Sequence, residues 1–124
     1  MRELLLVCAG GAVGSGLRFL VSSALLRATG PAFPWGTLVV NGLGSFAIGA
    51  VMQGALQGQV GPGLRVLLAA GVLGGFTTFS SFSWETLRLL QAGQSGLALA
   101  NVGGNLVLSL VAVALGMMLV RAVG

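Results

Sequence analysis

Four long apolar stretches separated by short polar breaks set the plan of the chain. They run at roughly 4–26, 36–57, 64–91 and 97–121, each at or beyond the about 20 residues an α-helix needs to cross a bilayer. Gly30-Pro31 and Pro34 close the first stretch and open the second. Gln57-Gly58-Gln59 and Gly61-Pro62-Gly63 part the second from the third, and Gln91 through Gly96 part the third from the fourth. Glycine and proline clusters of this kind punctuate elements. The pattern predicts an all-α membrane protein: one domain over residues 1–124 with four transmembrane helices and only short loops. The first stretch is too long, and too interrupted by glycine, for a signal peptide. It is read as a retained span.

The third stretch departs from this pattern. Residues 74–83 read Gly-Gly-Phe-Thr-Thr-Phe-Ser-Ser-Phe-Ser. Five hydroxyls and a glycine pair at mid-depth predict a third helix broken mid-membrane. Hydrocarbon offers no water to freed backbone groups, so such a break must face protein, an ion or a wet cavity. Gly74, Gly75 and Thr77 are placed to leave carbonyl oxygens without helical partners. Unwound carbonyls of this kind hold Na⁺ in membrane proteins.

Polar residues elsewhere recur at helical spacing. Thr37, Asn41 and Ser45 are four apart, and so are Asn101, Asn105 and Ser109. Residues four apart share a helix face, so the second and fourth spans each carry a polar track. The bland reading is interhelical hydrogen bonding. Two asparagines beside a broken helix favour a pathway. Phe79 and Phe82 share a face just beyond the break, three residues apart. A phenyl ring has a positive edge, and ring edges cradle a small anion where water is scarce. A ring of Asp or Glu would mark a cation route, and none is available. The pathway is read as one for a small anion or a neutral solute.

Composition narrows the class further. The chain is 56% hydrophobic and 6% charged, against about 25% charged in soluble domains, and its mean hydropathy is +1.02. Two glutamates, six arginines and no histidine, lysine or aspartate are present. That set excludes histidine-based catalysis and metal-assisted hydrolysis and leaves an enzyme without a nucleophile–base pair. The net charge of +4 comes from single, scattered arginines, not the basic stripe of a nucleic-acid binder. Cys8 stands alone, so no disulfide forms within the chain.

The arginines carry topological information. Arg2, Arg65 and Arg121 fall on one side of a four-span fold, and Arg27, Arg88 and the nearby Arg18 on the other. Such balance gives almost no positive-inside bias. It predicts dual topology and an antiparallel homodimer, the geometry that transporters reach with inverted repeats. Glycines at four-residue spacing, Gly10 with Gly14 and Gly71 with Gly75, permit close helix packing.

Two rival functions would need different residues. A proton-coupled exporter needs a carboxylate deep in a span, whereas Glu3 and Glu85 fall near span ends. A non-transporting assembly subunit would use the glycines and asparagines only to join helices.

Three motifs resemble the Fluc/CrcB fluoride channels. They are Gly10-Gly11-Ala12-Val13-Gly14-Ser15-Gly16-Leu17-Arg18-Phe19 in the first span, Gly36-Thr37-Leu38-Val39-Val40-Asn41-Gly42-Leu43-Gly44-Ser45-Phe46 in the second, and Gly71 through Ser83 in the third. The likeness spans the whole chain. It implies a passive channel in the cell (inner or plasma) membrane, bounded by lipid, that exports fluoride through two pores in an antiparallel homodimer. It implies that Asn41, Phe79 and Phe82 line each pore, with Thr37, Asn105 and Ser109 in the polar track and Arg18 at a vestibule. It implies a central structural Na⁺ on the carbonyls of Gly74 and Thr77. Phe19 and Asn101 stand where family members often or sometimes have tyrosine.

Overall fold

A computed structural model describes residues 1–124. It is all helical: α1 (Arg2–Thr29), α2 (Trp35–Leu56), α3 (Pro62–Arg65), a π-helical segment (Val66–Leu73), α4 (Gly74–Phe76), α5 (Ser80–Gln91) and α6 (Ser95–Val123). α1, α2, the composite Pro62–Gln91 crossing and α6 are each long and apolar enough to span a membrane. The bounds of these helices lie within about three residues of the expected stretches. α1 stops where Gly30 takes a positive φ of 77° and its N–H closes on the Leu26 carbonyl at 2.9 Å.

Burial is inverted relative to a soluble domain. Leu99, Leu110 and Phe19 are more than two-thirds exposed, whereas Asn101, Asn105, Thr37 and Gln53 are buried. Lipid accepts the outward leucines; inside, Thr37, Asn101 and Asn105 are hydrogen-bonded to other protein groups, whereas Gln53 Oε1 has no partner.

Glycine sets how closely the helices approach. α2 and α6 form the most extensive pair. A methyl group at Gly49 would strike the Val113 carbonyl, and one at Gly116 would strike that of Phe46. α1 lies against the π segment in the same way. A methyl at Gly10 would come within 2.7 Å of the Leu67 oxygen and 2.9 Å of the Gly71 Cα. The glycine spacing read from sequence therefore packs helices within one protomer. With no side chain between them, backbones gain dispersion contacts that apolar lipid does not out-compete.

The third crossing is interrupted as expected, with a feature the sequence did not signal. Its first half winds as a π-helix over eight residues, Val66–Leu73. Such segments are rare and cluster at functional sites. After Phe76 the backbone extends: Thr77 has φ −83° and ψ 158°. The helix resumes at Ser80.

Candidate functional site

The break is held by side chains from two neighbouring helices. Asn41 on α2 accepts the Thr78 N–H at 2.8 Å through Oδ1 and donates from Nδ2 to the Thr78 carbonyl at 3.0 Å. This pairs both backbone groups of one unwound residue, as hydrocarbon burial demands. Thr78 Oγ1 in turn accepts the Ser81 N–H at 3.1 Å, as a capping residue does at the start of a helix. From α1, Arg18 Nε donates to the Gly75 carbonyl at 2.9 Å. Arg18 is therefore turned toward the break, not out to lipid headgroups.

A cavity of about 380 Å³ opens at this point between α2, α6 and the broken crossing. Its walls include Asn41, Phe79, Phe82, Asn105 and Ser109, together with Gly74 and Thr77. Seven of the nine residues singled out from sequence thus meet at one place. The Phe79 and Phe82 rings lie 5.5 Å apart, tilted by 53°. Phe82 is buried, whereas Phe79 is 76% exposed on the protomer. No carboxylate lines this cavity. α5 begins at its edge, so the positive end of that helix faces it.

Thr37 lies elsewhere. It borders a second cavity of about 630 Å³ near the Gly30–Gly36 loop, one helical turn from Asn41 toward the start of α2. Its hydroxyl donates to the Glu85 carboxylate. Arg88 stands over the Trp84 ring, 5.9 Å from its centroid, in a cation–π contact. The mouth so formed has a wall the sequence reading missed. Glu85 was set aside as a span-end acid, yet it is half-buried and directly bonded to Thr37. Its position three residues after Phe82, on the same helix face, was the available signal. Thr37 and Glu85 thus border one cavity, and Asn41, Ser45, Phe82 and Ser109 the other.

The oxygens of Gly74 and Thr77 accept none of the side-chain hydrogen bonds and none of the backbone bonds outside the regular helices. Asn41 serves Thr78 and Arg18 serves Gly75, which leaves these two free. No cluster of His, Cys, Asp or Glu could hold a metal, so a cation here would have carbonyl ligands, the donors hard cations prefer.

Comparison with known proteins gives a consistent result. The family described as CrcB-like protein, Camphor Resistance (CrcB), matches residues 5–117. A protein of Anaeromyxobacter sp. (strain K), named fluoride-specific ion channel FluC, is 52% identical over 98% of this chain and 97% of its own length. Proteins of the same name from Rhizobium meliloti and Thermus thermophilus are 49% and 50% identical, covering 98% and 94% of this chain and 98% and 93% of their own. The resemblance drawn from the three motifs is confirmed. On a match over most of its length, and with about half its residues shared with such relatives, this multi-pass membrane protein belongs to the CrcB family, whose named members are ion channels and not enzymes.

Proposed function

We propose that the protein is a passive fluoride channel that lets cytoplasmic fluoride leave the cell. The observation that carries this reading is the cavity at the break, where aromatic rings and hydroxyls converge without a carboxylate. Fluoride is small and holds its water tightly, so a pore must replace that hydration closely. The edges of Phe79 and Phe82 present positive charge. Ser109 and Ser45 supply hydrogens in the cavity; Arg18, outside its lining and with one hydrogen bond to the protein through Nε, would draw anions toward a vestibule. Discrimination against larger halides would come from how closely the ring edges and hydroxyls can replace a hydration shell sized to fluoride. Asn41 acts here chiefly by holding the break, since its amide already engages Thr78 and Asn105.

The working unit in this reading is an antiparallel homodimer with two pores. Phe79, Ser80 and Gly74 are exposed at mid-crossing, beside the two unpartnered carbonyls. Lipid cannot satisfy such a surface, and a second copy of the chain can. The balanced arginines allow that copy to insert the other way up. A Na⁺ held by the Gly74 and Thr77 carbonyls of both subunits would neutralise oxygens otherwise left bare and fix the two breaks together. Export follows from the membrane potential, aided by entry of neutral HF and its dissociation inside.

The experiment is fluoride efflux from proteoliposomes with and without a potassium ionophore. A passive channel stalls within moments as charge builds up, and flows when the ionophore dissipates the potential. Sustained efflux without ionophore, driven instead by a pH gradient, would replace the channel by a coupled exchanger.

A further inference from the structure

The polar side chains behind the cavity form a directed relay. Asn41 Nδ2 donates to Asn105 Oδ1 at 2.9 Å. Asn105 Nδ2 donates to Asn101, to its carbonyl at 2.9 Å and to its Oδ1 at 3.0 Å. Asn101 Nδ2 donates to Thr86 Oγ1 at 2.9 Å, and Thr86 Oγ1 donates to the Phe82 carbonyl at 2.7 Å. From Asn41 onward each member donates to the next, while Asn41 Nδ2 also donates back to the Thr78 carbonyl. The relay starts on the Thr78 backbone and ends on the Phe82 backbone, so both ends fasten to the one segment that carries Phe79 and Phe82.

We infer that Asn101 is a positioning residue for ion selectivity: it fixes the amide orientation of Asn105 and Asn41, and through them the placement of the phenylalanine pair. Asn101 is 0% exposed and borders neither cavity, so it touches no permeating ion. The sequence grouped it with Asn105 and Ser109 as a polar track; the structure puts it behind the wall. An Asn amide has a donor end and an acceptor end. Asn105 can offer Oδ1 to Asn41 only while its Nδ2 faces Asn101, whose side-chain oxygen adds a second acceptor to the backbone carbonyl that any residue there would keep. A flipped Asn105 would set two NH₂ groups against each other and strip Asn41 of a partner. Asn41 would then be free to leave Thr78, and the ring-bearing segment would lose its tether. A buried network of this kind is rigid while every member is satisfied.

This inference rests on the fluoride-channel reading, and its test uses two readouts. The first is the fluoride-over-chloride permeability ratio, taken from the reversal potential of the purified protein in a planar bilayer. That ratio does not depend on how much protein folds. The second is hydrogen exchange at the Thr78 amide, which reports on Asn41 Oδ1 whatever ion permeates. Asn101→Leu is expected to lower the ratio about tenfold and to speed Thr78 exchange by a similar factor, the effect of one lost hydrogen bond. Thr86→Val swaps hydroxyl for methyl at constant shape and is expected to act in the same direction, whereas Thr86→Ser keeps both readouts near wild type. Unchanged selectivity in Asn101→Leu and Thr86→Val, whether or not exchange rises, would show that the relay only joins helices and overturn the inference. Wild-type protein without fluoride current would refute the channel reading instead. The selectivity role, which rests on that reading, would fall with it, and Thr78 exchange would then report only whether the relay tethers the break.

Discussion

Phe82→Ile and Phe79→Ile are each expected to slow fluoride efflux from proteoliposomes about tenfold, and the double variant about a hundredfold. Isoleucine keeps the apolar bulk, so the helix packing around Phe82, 9% exposed, survives. What disappears is the aromatic rim. An aromatic contact is worth about 0.5–1.5 kcal/mol beyond the area it buries, and about 1.4 kcal/mol on a barrier is tenfold in rate. The two rings lie 5.5 Å apart, close enough to act on one ion in succession. Undiminished efflux in both single variants would remove the aromatic part of the mechanism while leaving the fold untouched.

The second large effect falls on assembly of the fold. Gly14→Ala is expected to destabilise the protein by about 3 kcal/mol or more, the upper range for overpacking a tight site. A methyl at Gly14 would drive into the Val72 carbonyl and stand 2.9 Å from the Phe76 nitrogen. All of these atoms are backbone, so no flexible side chain can move aside. The strain would land on the π segment and on the last turn before the break. Gly96→Ala is the control. Nothing lies within 4 Å of Gly96, and alanine there gains up to about 1 kcal/mol of helix propensity. Thermal unfolding of the detergent-solubilised protein checks both: Gly14→Ala falls well below wild type, and Gly96→Ala matches or exceeds it. Equal stability of the two variants would mean that α1 and the third crossing do not touch as described.

The parts of this molecule legible in the sequence are those enforced by the solvent. Four spans follow from apolar length, because the bilayer fixes how long a crossing must be. The break followed from hydroxyls and glycines where hydrocarbon permits none without a reason, and it falls at Thr77 within the flagged decapeptide. The π winding of Val66–Leu73 was invisible for a physical reason. That segment, Val-Leu-Leu-Ala-Ala-Gly-Val-Leu, is apolar all round, so no polar stripe records its period.

The site was legible as a set of residues but not as a set of bonds. Spacing placed Asn41 and Asn105 on inward faces. It could not show that their amides bind each other at 2.9 Å, because amide partners depend on how two helices are rotated and offset. The same ignorance merged Asn101 with the cavity wall. It also set Thr37 in one polar track with Asn41, although Thr37 bonds to Glu85 and borders a separate cavity. Arg18 was placed at a vestibule by the resemblance alone. Its bond to the Gly75 carbonyl needs the close α1 approach that Gly10 and Gly14 allow.

The central claim is that a tiny halide sheds its water against ring edges and hydroxyl hydrogens at the break of the third crossing. Anion replacement on the purified protein tests it most directly. Liposomes loaded with equal fluoride and chloride, and given a potassium ionophore, should release fluoride and keep chloride. Release of both ions together, or of neither, would contradict it.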